Sequence, residues 1–190
     1  KGGGCKMKNV KEYAAPALVL FIIGLIATLL LGVTNDITAP KIAALAAETE
    51  KKSRQIVFAD AADFGEVKTL EDGTTVVPAL DKDGNVLGSV VVNVAKGYGG
   101  DISVMTGVDK DGKVTGVNIL SHSETAGLGA NAVKESFRDQ FVGLVKGITV
   151  SKDKPGENSI DALTGATVTS RAVTKAVNAA IEAAGGEIDG

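Results

Sequence analysis

The runs TTVVPAL (74–80), NVLGSVVVNVA (85–95), ISVMTGV (102–108) and KVTGVNIL (113–120) decide the fold. Each is short and rich in β-branched residues, and Asp72-Gly73, Asp83-Gly84 and Asp111-Gly112 punctuate them, as expected of antiparallel hairpins. The turn segments repeat, with 81–88 (DKDGNVLG) matching 109–116 (DKDGKVTG). Two copies are too few for a solenoid. The aspartates lack the EF-hand spacing and its terminal Glu, so type I′ or bulged hairpin turns are expected rather than calcium loops.

Downstream, a glycine-rich loop leads into a predicted helix over 130–137. A second predicted helix, TSRAVTKAVNAAIEAA (169–184), puts Ala172, Val173, Ala176, Val177, Ala180 and Ile181 on one face at spacings of three and four. Gly185-Gly186 should end it. Strands followed by segregated helices predict an α+β domain, here over residues 61–190.

Upstream, AAPALVLFIIGLIATLLLGV (14–33) has no charge over 20 residues, enough at 1.5 Å per residue to span the roughly 30 Å hydrocarbon core as a transmembrane helix. A cleaved signal peptide is the competing reading, and Ala44-Leu45-Ala46 supplies an A-x-A pattern. The apolar run exceeds the usual signal core, however, and that pattern lies far downstream. Lys1, Lys6, Lys8 and Lys11 precede the span, and no lysine follows until Lys41. The positive-inside rule then predicts a cytoplasmic tail (1–13), a single pass through the cytoplasmic membrane and an extracytoplasmic C-terminal domain. Between them, 34–60 reads as a stalk helix that Asn35 or Asp36 can cap, with Pro40 in an early turn.

Composition narrows the chemistry. The 190 residues hold no Trp, 4% aromatics and a formal net charge of −3, which argues against a base-stacking or phosphate-backbone surface and so against nucleic acid. Four lysines against Glu12 give the first twelve residues +3, leaving −6 for the rest. Cys5 and His122 are the only Cys and His. No intrachain disulfide, Cys cluster or His-rich metal centre can be built from them, and no chain of acid-base catalysts is evident. A bound cofactor is the expected source of chemistry.

Two motifs can hold one. In DALTGATVTS (161–170), immediately before the last helix, Gly165 and Ala166 lack bulk and Thr164, Thr167, Thr169 and Ser170 offer hydroxyls. A helix N-terminus exposes unpaired N–H groups and a partial positive charge, so the segment can serve as an anion site, although an ordinary N-cap is the commoner use of such residues. In SHSETAGLG (121–129), glycines allow backbone near a ligand, or serve a simple capping turn. His122 can donate to a ligand or merely be satisfied locally, and Tyr98, within KGYGG (96–100), can stack on a ring or pack.

Together these segments carry a resemblance. DALTGATVTS is similar to the flavinylation motif of the FMN-binding subunits of the Rnf and sodium-translocating NADH:quinone reductase complexes, in which two residues separate an Asp from a Ser/Thr-Gly-Ala-Thr core. SHSETAGLG resembles the same family's His-x-Glu-Thr-x-Gly-Leu-Gly loop, with Ala126 where Pro is usual. The resemblance implies that a separate flavin transferase esterifies FMN, taken from FAD, through its phosphate to Thr167, with Asp161 and the Gly165-Ala166 pair recognised by the transferase. It further implies that Leu163, Thr164, Gly165, Ala166, Val168 and Thr169 surround the cofactor. Glu124, Thr125, Gly127, Leu128, Gly129 and Tyr98 would meet its ring and ribityl chain. Thr167 is then a tether, not a catalytic residue, since a threonine hydroxyl needs external activation to act as a nucleophile.

At family level the chain looks most like the G subunit of the Rnf complex, an electron relay that works with other membrane subunits between ferredoxin and NAD. The C-type quinone reductase subunit is the alternative within the family. An anchored extracytoplasmic binding module with a reversible phosphate ligand is the alternative outside it.

Overall fold

A computed structural model describes residues 8–188, so the start of the lysine-rich tail, with Cys5, lies outside the described residues. The chain divides into two compact units at Thr49/Glu50. Helix α1 (Lys8–Val57) begins in the first unit and its last eight residues belong to the second; in the first unit it carries one stretch, Pro16–Asn35, that is long and apolar enough to cross a membrane, with mean hydropathy 2.7 and none of it buried. Within it, Thr28 Oγ1 and Thr34 Oγ1 donate to the carbonyls of Gly24 and Leu30, both at 2.8 Å, which satisfies both hydroxyls inside the helix. The expected helix start at Asn35 or Asp36 is not found. The helix runs on through Pro40, because one missing N–H costs less than stopping and nucleating again between two good helix formers.

The second unit is built on an antiparallel sheet of β1 (Asp63–Phe64), β2 (Lys68–Thr69), β3 (Thr75–Leu80), β4 (Val86–Lys96), β5 (Asp101–Asp109) and β6 (Val114–His122). Its order is β1-β3-β4-β5-β6, with β2 also paired to β3. The repeated turns fold alike. Gly84 N donates to Asp81 O at 3.2 Å and Gly112 N to Asp109 O at 3.1 Å, with the two glycines at φ +83° and +75°. These are the bulged members of the expected pair, and each leading aspartate turns its carboxylate inward. Asp81 accepts from the N–H groups of Asp83 and Asn85, and Asp109 from those of Asp111 and Lys113.

Alternation along the strands fills both faces of the sheet. Val91, Ile102, Val104 and Val108 face helix α3 (Thr167–Ile188), whose Ala172, Val173, Ala176, Val177, Ala180 and Ile181 are all buried against them. The predicted apolar stripe is therefore the one that packs. On the other face Ala79, Val90 and Met105 meet Val57, Phe58 and Ala61, where α1 ends. A short parallel pair, β7 (Thr149–Val150) and β8 (Ser159–Ile160), precedes α3.

Two helix expectations need correction. Residues 130–137 do not form one α-helix. A 3₁₀ turn (Gly129–Val133) is followed by extended Lys134, by one α-turn, α2 (Glu135–Arg138), and by a second 3₁₀ turn (Asp139–Phe141). Phe137 and Phe141, both buried and edge-to-face at 5.6 Å, fix this path, so tertiary packing overrides local propensity. Nor does Gly185-Gly186 stop α3, which reaches Ile188. Ala184 is fully buried, and its packing holds the last turn against the glycines' cost of about 1 kcal/mol each.

Candidate functional site

The start of α3 is set by a small lock. Ser170 N donates to Ala166 O at 3.1 Å, the first helical bond, while the buried Ser170 hydroxyl donates to Ala166 O at 3.0 Å and accepts from Leu163 N at 2.9 Å. Gly165, at φ +74°, makes the bend, and a Cβ there would stand 3.0 Å from Leu128. Among the described residues no acceptor meets the N–H groups of Thr167, Val168 and Thr169, the expected condition of a helix's first turn.

The four hydroxyls of this segment separate clearly. Ser170 belongs to the lock and Thr169 is buried, donating to Glu124 Oε2 at 2.5 Å. Thr164 is exposed and off the cleft. Thr167 alone is half-buried, faces a cleft and makes no side-chain hydrogen bond among the described residues.

That cleft encloses about 480 Å³, in the range of small-molecule sites. Tyr98, Glu124, Thr125, Leu128 and Gly129 line one side, and Gly165, Ala166, Thr167, Val168 and Thr169 the other. The turn at Tyr98, the loop after β6 and the start of α3, all distant in sequence, thus meet around it. Leu163, Thr164, Gly127 and Asp161 do not line it. Leu163 packs against the core and Gly127 O accepts from Asn131 Nδ2 at 2.8 Å. Asp161 Oδ1 accepts from Ser151 Oγ at 2.7 Å, and its N–H donates to Gln140 Oε1 at 2.7 Å. His122 also stays off the cleft, where its Nδ1 accepts from Glu124 N at 3.2 Å.

Glu124 sits at the centre of the architecture. It is buried at 8% exposure, and both carboxylate oxygens are taken by protein, Oε1 by Gly99 N at 2.9 Å and Oε2 by Thr169. Burial raises its pKa, but the Thr169 hydroxyl and the N–H groups of Gly99 and Tyr98, with nearby His122, outweigh that and hold the carboxyl below its ordinary range. Glycines make room for it. A Cβ on Gly97 would stand 2.3 Å from Oε1, and one on Gly129 would stand 2.3 Å from Oε2. The side chain therefore ties the Tyr98 turn to the helix that carries Thr167. Lys152, between β7 and β8, is a cleft residue that the sequence reading missed. Its only local signal was being one of several lysines.

The cleft, its helix start and its glycine-caged carboxylate lie within residues 97–182, which match the FMN-binding domain family and define the class of protein. The chain is 39% identical to the G subunit of the proton-translocating ferredoxin:NAD(+) oxidoreductase complex of Clostridium ljungdahlii, over 87% of this chain and 85% of that one. It is 37% identical to the Na(+)-translocating counterpart of Acetobacterium woodii, over 87% and 88%. The chain belongs to the family of G subunits of ion-translocating ferredoxin:NAD(+) oxidoreductase complexes. Its fold is shared with the crystal structure of Shewanella oneidensis NqrC, with a TM-score of 0.50 at 19% identity, covering 70% of this chain and 73% of that one.

Proposed function

We propose that this chain is the electron-transferring G subunit of an ion-translocating ferredoxin:NAD(+) oxidoreductase complex, carrying FMN esterified through its phosphate to Thr167. Residues 14–33 anchor it in the cytoplasmic membrane, residues 34–60 serve as the stalk and the FMN-binding domain over 61–190 stands on the outer side. The lysines before the span support that orientation. One observation carries the assignment of Thr167: of four hydroxyls around the start of α3, it alone is uncommitted and on the cleft.

The residues fit the group. Free N–H donors at the start of α3 suit a phosphate, while Leu128, Val168 and Tyr98 offer apolar surface to a ring. FMN, when bound, supplies the one- and two-electron redox chemistry. Loading is a group transfer from FAD on a separate flavin transferase. The Thr167 oxygen bonds to the phosphorus of the FMN half, the bond to AMP breaks, AMP leaves, and the hydroxyl proton passes to a base on the transferase. Asp161, beside this segment, is assigned to recognition by that enzyme. The other subunits of the complex supply and accept the electrons.

Intact mass tests the assignment. The native chain should carry the mass of FMN less water and fluoresce after denaturing electrophoresis, and Thr167→Ala should do neither. An unmodified native chain, or a Thr167→Ala chain of unchanged flavin content, defeats the ester. A flavin removed by dialysis under denaturing conditions would replace the ester with reversible binding.

A further inference from the structure

We propose that the unpaired end of β4, residues 93–96, is a docking edge that an extended acidic segment of a partner protein joins as an added strand. The inference goes beyond the reading above and does not depend on the flavin.

On one side β4 outruns its neighbour. It pairs with β5 as far as Lys96↔Asp101 but with β3 only as far as Thr75↔Val92, because the chain enters β3 from a tight turn over 70–74, where Leu70 N donates to Thr74 O at 2.8 Å. Among the described residues no strand pairs with that side of 93–96. Alternate residues of an antiparallel edge turn both N–H and C=O outward, so this stretch presents a short ladder of unused backbone groups.

The edge borders a groove of about 190 Å³, closed on its other side by Ala172, Lys175, Ala176 and Ala179 of α3. The three alanines leave room for inward-facing side chains of moderate size. On its floor Asn93 Nδ2 donates to Ala176 O at 2.8 Å, which fixes the helix beside the strand, while Asn93 Oδ1 has no donor among the described residues. Val94 points to the sheet face away from α3 and is 64% exposed, a β-branched residue lacking a cross-strand neighbour on the open side.

Charge selects the occupant. Lys96 and Lys175 line the groove, no carboxylate does so among the described residues, and neither lysine has an ion pair among them. A second copy pairing edge to edge would crowd both pairs of lysines into one interface, which like-charge repulsion opposes. An extended segment that alternates apolar and acidic residues suits both features, with its apolar side on the alanines and its carboxylates beside the lysines. Lys96 runs directly into Gly97 and Tyr98, so a partner docked here lies next to the turn that forms part of the cleft wall.

The test uses full-length chain in detergent micelles and fluorescently labelled octapeptides, followed by anisotropy. The alternating Glu-Val peptide should bind, its Lys-Val counterpart should not, and added salt should weaken the first. Lys96→Glu combined with Lys175→Glu should weaken the Glu-Val peptide about tenfold and turn the preference toward Lys-Val. Strand addition itself is read from two N-methylated Glu-Val peptides, one methylated on every Glu and one on every Val. One set of methyl groups removes the N–H donors that face the edge and the other those that face solvent, so one peptide should bind about tenfold more weakly and the other like its parent. Equal binding of the two methylated peptides, no discrimination by charge, or a double variant that binds as wild type does overturns the proposal. If the double variant does not fold, the methylated pair on wild type decides alone. A wild-type dimer that the Glu-Val peptide disperses would give the edge to a second copy, which overturns the proposal as well.

Discussion

Thr169 donates its hydroxyl to Glu124 Oε2 across 2.5 Å, joining the first turn of α3 to the loop after β6 over 45 residues of sequence. The acceptor is a buried carboxylate, so the bond matters more than a surface contact of the same length. Thr169→Val keeps the shape and removes the donor, leaving Oε2 short of its partner. We expect a loss of about 1.5–3 kcal/mol, the range for a hydrogen bond to a charged group. Thr169→Ser should recover most of it. Thermal unfolding of the full chain in detergent measures both variants, and an unchanged Thr169→Val midpoint would refute the contribution.

Acid should weaken the same contact in a predictable direction. Burial works against ionised Glu124, yet its hydrogen bonds and His122 prevail and keep its folded pKa below the ordinary 4.5. The folded state then holds fewer protons on this group than the unfolded state in the interval between the two values. Its contribution is complete above about 4.5 and disappears as pH falls through the folded value. Glu124→Gln has no such component. The stability difference between wild type and Glu124→Gln should therefore narrow below about pH 4.5, while Asp72, Asp81 and Asp153, also lowered, act in both chains and cancel. A difference that stays constant from pH 7 to pH 3.5 would contradict the linkage.

What the sequence disclosed followed the range of the interactions. Hairpins around Gly84 and Gly112, and the stripe from Ala172 to Ile181, rest on contacts within a few residues, and both were readable. The broken helix after Gly129 was not, because Phe137 and Phe141 settle into the core by long-range packing that no local window records. Lys152 escaped notice for the same reason, since contacts spanning 10 and 18 residues place it. Glu124 shows a subtler limit. The resemblance implied that it would meet the flavin, but only coordinates reveal that Gly99 and Thr169 already occupy both oxygens. Among the four hydroxyls near the start of α3, composition could not choose. The burial of Thr169 and Ser170 separates them from Thr167.

Two glycines of the same loop should respond differently to alanine. At Gly129 the new Cβ would meet Glu124 Oε2 at 2.3 Å and Thr169 Oγ1 at 2.6 Å. Neither atom can retreat without breaking the bond between them. We expect the overpacking cost of about 1–3 kcal/mol together with partial loss of that hydrogen bond. At Gly127 the space is open and only the left-handed φ of +79° resists, a cost of about 1–2 kcal/mol. Gly129→Ala should therefore unfold at lower temperature than Gly127→Ala and carry less flavin by intact mass. The reverse order in either measurement would mean that the caged carboxylate does not control the cleft.

A different pair of glycines controls how α1 ends. Gly107 and Gly116 face each other across β5 and β6, and Val57 rests on them, its carbonyl accepting from Thr115 Oγ1 at 2.6 Å. A Cβ on Gly107 would stand 2.3 Å from Val57 O, and one on Gly116 would stand 2.8 Å from Val57 Cα. Both obstacles are backbone, so a side-chain rotation cannot relieve them. Either alanine should cost about 1–3 kcal/mol, concentrated where the helix meets the sheet. Hydrogen exchange should rise over residues 50–58 and remain unchanged at the start of α3, with flavin content retained, because Val57 packs on the face of the sheet opposite α3. Exchange rising equally at both places would show that the two faces open as one cooperative unit, and the local assignment would fail.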